Sequence, residues 1–164
     1  MITLARDELA VQAYRIFIQA TAPDVWDALT KPGWTQKYGY RTLVKYDPHP
    51  GGVYLAYASG RRNGQRAQDL VIGGEVLEAE PPKRLVQTWH PVFDPQAAAE
   101  PATCLTWEIH EERIGLTALS VTHECPGAPR TAALAAGQAA GSGGWSWVLS
   151  DLKTLLETGR PLST

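Results

Sequence analysis

Cysteine, methionine and phenylalanine are scarce in this chain, with two, one and two residues respectively. Cys104 and Cys125 are too few for a disulfide framework and lack the spacing of a metal knuckle, so reduced, structural thiols are expected. The histidines at positions 49, 90, 110 and 123 fall in separate segments, with no i, i+4 pair and no adjoining Cys or Asp cluster. That pattern predicts no metal site. An excess of one charge is also missing. Lys and Arg number 15 against 17 Asp and Glu, a formal net charge of -2 without a basic stripe, so no nucleic-acid partner is expected. Arg61, Arg62 and Arg66 gather around Asn63 and Gly64, which reads as a solvated hairpin tip. No apolar run reaches the roughly 18 residues needed to span a bilayer. Residues 1–7 also lack the basic-then-apolar order of a signal peptide. The expectation is a cytoplasmic protein with no membrane partner and no cofactor.

What the chain does have is globular: 44% apolar and 20% charged residues, enough to build a core and too apolar for a disordered polymer. At 164 residues one core is expected, hence a single domain over 1–164. Residues 1–9 would be a tail, and 126–143, rich in Pro, Ala and Gly, a flexible segment before a final helix at 144–158.

Residues 11–20 alternate, with Tyr14, Ile16 and Ile18 on one face, as a half-buried strand requires. Thr21, Ala22, Pro23 and Asp24 open a short helix carrying Val25, Trp26 and Leu29; Pro32 and Gly33 break it, and 34–38 make a further turn. Strands follow at 42–46, 53–59, 68–79, 85–90, 103–110 and 116–125, with 60–66 as a hairpin and 91–101 as a surface loop that could rim a pocket. Thr103, Leu105, Trp107 and Ile109 share one face of their strand, and Leu119, Val121, His123 and Cys125 share one face of the next; both faces should look inward. A short Ala-rich helix is expected at 131–138. Trp145, Val148, Leu149, Leu152, Leu155 and Leu156 then recur at helical spacing, and Gly159 with Pro161 supplies the stop. This order predicts an α+β fold: a curved antiparallel sheet of six to seven strands, two short helices after strand one, and a long C-terminal helix covering one face.

The ordered pieces Ala22-Pro23-Asp24-Val25-Trp26-Asp27-Ala28-Leu29-Thr30, Pro50-Gly51-Gly52, Gly74-Glu75-Val76-Leu77-Glu78, Pro81-Pro82-Lys83-Arg84-Leu85, Thr88-Trp89, His123 and Gly144-Trp145 run through nearly the whole chain. Together they resemble the bacterial relatives of the C-terminal domain of the activator of the ninety-kilodalton heat-shock chaperone's ATPase. That family lies within the START-like (SRPBCC) superfamily. The resemblance implies the helix-grip fold, in which the sheet wraps the long helix and leaves an apolar pocket between them. It also brings functional alternatives: carriers of lipids or aromatic molecules, cyclases, and chaperone-related or toxin-like stress proteins paired with an ArsR-type repressor.

Catalysis needs a nucleophile within reach of an oriented base. Ser120 and His123 are three apart on one strand and point to opposite faces, while Cys125 shares the His123 face at roughly 7 Å, beyond contact. No catalytic set is therefore assigned. His123 is the single candidate acid or base, for a cyclase-, dehydratase- or hydrolase-like reaction; its alternative is a core histidine bonded to a backbone carbonyl or a side chain. Six tryptophans and six tyrosines supply apolar bodies with polar tips suited to an organic ligand. The candidate ligand-binding residues are Trp34, Tyr38, Tyr54, Trp89, Trp107, His123, Trp145 and Leu149. The expected function is noncatalytic binding of a small hydrophobic or aromatic molecule by a monomer or weak homodimer, with a protein partner as the alternative.

Overall fold

The computed structural model describes residues 10–59, 68–139 and 143–162. The predicted 1–9 tail and the 60–66 hairpin with its three arginines lie outside the described residues.

The chain begins with strand β1 (Val11–Ile18), whose Gln12, Tyr14, Ile16 and Ile18 turn inward. Helix α1 (Ala22–Thr30) starts where Thr21 Oγ1 accepts the Asp24 N–H at 3.2 Å, with Pro23 in the first turn. Val25, Trp26 and Leu29 form its buried face. Pro32 does not merely stop α1: it opens a second helix, α2 (Pro32–Thr35), because Lys31 takes an extended conformation and Pro fits a first turn. The predicted turn therefore sits two residues earlier than the sequence suggested.

Strands β2 (Leu43–Tyr46), β3 (Val53–Tyr57), β4 (Leu70–Glu80), β5 (Arg84–Pro91), β6 (Thr103–Arg113) and β7 (Leu116–Glu124) complete one antiparallel sheet of seven strands, in the order β1-β7-β6-β5-β4-β3-β2. The return of the last strand to the first buries β7 between β1 and β6. Its register, Gln12 beside His123 and His123 beside Leu105, carries one inward row across three strands. The 91–101 connection is not wholly irregular. It holds helix α3 (Pro95–Ala98), where Asp94 accepts the Ala97 N–H at 3.0 Å.

Helix α4 (Pro129–Ala135) forms inside the predicted 126–143 segment and buries Thr131, Ala132, Leu134 and Ala135. It starts two residues before, and ends three residues before, the Ala-rich helix expected at 131–138. Helix α5 (Gly144–Thr158) has the bounds that the sequence predicts, and Gly159 ends it in the left-handed conformation at φ 81°, returning its N–H to the Leu155 carbonyl at 2.8 Å. Trp145, Leu149, Leu152 and Leu155 join the inward side chains of the sheet in one core. This is the helix-grip arrangement: a curved seven-stranded antiparallel sheet holding the C-terminal helix.

Gly73 and Gly74 read as a place for β4 to bend. Register irregularities flank the pair: one just before it, where Leu70 and Ile72 oppose Tyr57 and Ala56 on β3, and one after it toward β5, between Val76 and Glu78. Gly74 has a different role: a Cβ there would lie 2.1 Å from the Thr88 carbonyl oxygen, so only glycine lets β4 and β5 approach this closely. The same missing side chain leaves the Tyr54 ring room, since that Cβ would also stand 3.4 Å from Tyr54 Cδ2.

Candidate functional site

Alternation along β5, β6 and β7 brings Trp89, Trp107 and His123 to the inward face, and Trp145 comes down on them from the first turn of α5. The rings interlock. His123 meets Trp89 edge-on at a centroid distance of 4.9 Å, and Trp145 stands 5.4 Å from Trp107, 5.8 Å from His123 and 6.0 Å from Trp89. Four of the predicted ligand-binding residues thus fill the gap beneath α5 with their own rings. Leu149 packs in the same core.

A chain of hydrogen bonds runs through this cluster and fixes the state of His123. The Trp145 indole N–H, which can only donate, reaches His123 Nδ1 at 3.0 Å. Thr103 spends its one hydroxyl proton on the Trp89 carbonyl at 2.7 Å, so its oxygen must accept from His123 Nε2 at 2.7 Å. His123 is therefore neutral, protonated on Nε2, with both nitrogens engaged. Burial with no neighbouring carboxylate holds its pKa down at about 4. A general acid or base needs a free nitrogen facing a reactant, and this one has none. Cys125, on the same face, has a thiol that burial pushes up to about 12, far from a thiolate nucleophile. Ser120 points to the other side of β7, between the inward Leu119 and Val121, as the strand period requires.

A second group lies toward β2. Tyr46 and Tyr54 pair across β2 and β3 with ring centroids 4.7 Å apart. The Tyr46 hydroxyl donates to Gln87 Oε1, and Gln87 Nε2 donates to the Thr88 carbonyl at 3.1 Å. Tyr38, from the turn after α2, donates to the Ala28 carbonyl at 2.7 Å. Burial raises the pKa of all three phenols, that of Tyr54 to about 12, with the Trp89 indole N–H at its hydroxyl offsetting part of the rise. Tyr46 and Tyr54 are nevertheless only half-buried. Among the described residues no buried side-chain nitrogen or oxygen lacks a partner. Tyr46 and Tyr54 thus place two half-buried aromatic rings on the inner face beside the packed floor.

The predicted set thus divides. Trp89, Trp107, His123, Trp145 and Leu149 form the packed floor; Tyr54, with Tyr38 near it, belongs to the tyrosine group. Trp34 is in neither: it is half-buried on α2 with Lys37 5.2 Å from its ring centroid. Tyr46, Gln87, Thr103 and Asp151 were not singled out as site residues. Asp151 is wholly buried on α5, where it accepts the Gly39 N–H at 2.8 Å and the Leu162 N–H at 2.7 Å. It ties the turn carrying Tyr38 and the segment after α5 to that helix. Gln87 had a visible signal, as the polar residue that shares the inward face with Leu85 and Trp89. Asp151 had one as well, since it stands three residues after Val148 and four before Leu155 on the apolar stripe.

Among the described residues no group of three His, Cys, Asp or Glu side chains is placed to hold a metal ion. No described helix is long and apolar enough to cross a membrane.

Solved structures share this architecture. A protein from Rhodobacter sphaeroides is 22% identical with a TM-score of 0.67, covering 90% of this chain and 92% of that one. DynU16, a protein of the dynemicin biosynthetic locus, is 23% identical with a TM-score of 0.66, over 93% of this chain and 49% of its own. An HSP90 activator from Plasmodium falciparum is 18% identical with a TM-score of 0.55, over 70% and 72%. At these identities the likeness is one of fold. No curated protein matches the chain. The family described as Activator of Hsp90 ATPase homolog 1-like protein matches residues 19–157, spanning every element from α1 to the end of α5 but its last residue, and the chain belongs to that family.

Proposed function

We propose that this protein binds a small hydrophobic or aromatic molecule, without transforming it, in the recess between the sheet and α5 that Tyr46 and Tyr54 face. The observation that carries this reading is the pair of half-buried tyrosine rings, 4.7 Å apart, that β2 and β3 present on the inner face beside the packed floor. A ligand seated there would meet aromatic faces and the Tyr54 hydroxyl. Burying about 300 Å² of apolar ligand surface at ~25 cal/mol per Å² gives roughly 7 kcal/mol before association costs, enough for micromolar binding. Noncatalytic binding fits better than an enzyme built on His123, because that imidazole is locked neutral with both nitrogens occupied. The test is a thermal-shift screen against lipids, polyketide-like aromatics and hydrophobic drugs. Binding to the native state raises Tm with ligand concentration by linkage, and the rise should shrink in Tyr54→Phe. No shift with any compound would remove the reading.

A second reading, docking to an Hsp90-type chaperone, has support in the family and in one surface feature. On the outer face, Leu43 pairs with Tyr57 and Tyr57 with Leu70, placing three apolar side chains side by side; Leu43 and Leu70 are 38% and 40% exposed. Leu43→Glu with Leu70→Glu should abolish any stimulation of the chaperone's ATPase while leaving the fold intact. An equal effect of wild type and double variant on that ATPase would set this reading aside.

A further inference from the structure

Helix α4 is joined to the rest of the molecule by little apolar surface. Its side chains enter two small clusters that stand apart from the main core, Ala132 with Cys125 and Ala128, and Leu134 with Ala97 and Ala139, while Ala135 belongs to the main core. Clusters of this size, mostly alanine, supply little of the burial that holds a helix down. Polar contacts take its place, and they gather at one end. Glu100 accepts the Arg130 and Thr131 N–H groups at 2.8 Å each and the Thr131 hydroxyl at 2.9 Å, and the Arg130 guanidinium reaches Asp94 at 2.8 and 3.2 Å. Both carboxylates belong to the β5–β6 connection, which His90 ties to the sheet by donating from Nε2 to the Ala97 carbonyl at 3.2 Å.

The other end is built differently. Gly137, just past α4, is left-handed at φ 77°, and a Cβ there would lie 2.7 Å from the Gly143 carbonyl oxygen. A Cβ on Gly144 would stand 2.4 Å from the Gly137 nitrogen. Backbone thus rests on backbone where α4 meets α5. Before α4, Gly127 is also left-handed, at φ 69°, and an added Cβ there would have Pro101 Cγ at 3.9 Å, an ordinary contact. α4 therefore lies between two glycine joints, one tight and one roomy, and is fastened by carboxylates beside the roomy one.

We infer that α4 is a lid: it swings as one piece on the Gly137–Gly144 contact when the Glu100 and Asp94 latch releases, while the sheet and α5 stay folded. Segments with few buried apolar contacts open at a lower free energy than the molecule as a whole. Closed, the lid covers Cys125, and its Ala132 carbonyl accepts from Gln12 Nε2 at 2.9 Å. Gln12 lies beside His123 in the sheet, so opening uncovers the end of the inward row that leads to His123 and Trp89.

Cys125 reports this motion, because it is buried against Ala128 and Ala132 while the lid is shut. In Cys104→Ser it is the only thiol of the chain, and its labelling by an aryl disulfide reagent can be followed at low urea. The expected rate hardly changes with urea below the unfolding transition, the mark of a local opening, and rises about tenfold when Asp94→Asn and Glu100→Gln release the latch. Should that double variant not fold, Glu100→Gln alone carries the comparison. Arg15→Gln breaks an exposed ion pair with Glu112 on the outer face and should leave the rate within about twofold. A rate that climbs with urea along the slope of global unfolding, or no labelling at all without urea, would overturn the lid, since Cys125 would then be reached only by unfolding. Equal acceleration by Arg15→Gln would overturn it too, as a general loss of stability. A rate unchanged by the latch substitutions would overturn the latch and the inference with it.

Discussion

His123 is held in one tautomer by partners on either side of it, and the consequence is measurable. Its pKa is about 4 in the folded protein against 6.5 for the unperturbed side chain. Between those values the unfolded chain binds the proton that the folded protein refuses. Stability therefore falls as pH drops from about 6.5 to 4 and is insensitive to this group outside that window. The shift corresponds to about 3 kcal/mol. Urea titrations at pH 7 and pH 4 should show that loss in wild type. His123→Gln should be less stable than wild type at pH 7 but should lose roughly 3 kcal/mol less on acidification; an identical pH slope in the two proteins would refute the assignment. Gly74→Ala tests the other constrained position. Its methyl group must displace the Thr88 carbonyl, and a loss of about 1–3 kcal/mol by the same titration is expected, as for an overpacked core. At this scale the sequence exposed the inward rows of β6 and β7, because a period of two is independent of context. It did not reveal how His123 is paired, since Trp145 is 22 residues away along the chain and Thr103 is 20.

Short helices were the least legible elements, for a physical reason. α3 and α4 are too short to be stable alone, and the start of α4 is capped by a residue distant in sequence. Glu100 accepts the Arg130 N–H and the Thr131 N–H at 2.8 Å each and the Thr131 hydroxyl at 2.9 Å, capping α4 from the α3–β6 connection. Arg130 in turn reaches Asp94, the cap of α3, at 2.8 Å, and holds that carboxyl below its usual range. Nothing in the local pattern near 129–135 announces such a cap, so the expected helix there drifted toward the richest Ala run. α5 is the contrary case: its apolar stripe and its Gly159 stop are both local, and its bounds were readable in full. Glu100→Ala removes acceptors from two backbone N–H groups at the start of α4. A loss of about 1–2 kcal/mol is expected, and amide exchange should accelerate first in 129–135. Uniform acceleration across the sheet instead would mean that α4 is not a separately stabilised unit.

The two functional readings occupy opposite faces of one thin layer. On β3, Tyr54 turns to the interior, while Tyr57 joins Leu43 and Leu70 outside. Membership of the family does not choose between these faces, because it fixes the sheet that carries both. It does make the choice experimentally separable. Tyr54→Phe removes a hydroxyl in the recess without touching the outer row, and Leu43→Glu with Leu70→Glu recharges the outer row without entering the recess. If ligand binding is the function, the first variant should weaken the ligand-induced rise in Tm and the second should leave it within error of wild type. The reverse pattern, with chaperone ATPase stimulation lost only in the second variant and no ligand response in either, would move the function to the outer face. A ligand that raised Tm in wild type and lost its effect in both variants would point to a sheet whose faces are coupled, so that filling the recess sets the shape of the surface presented outside.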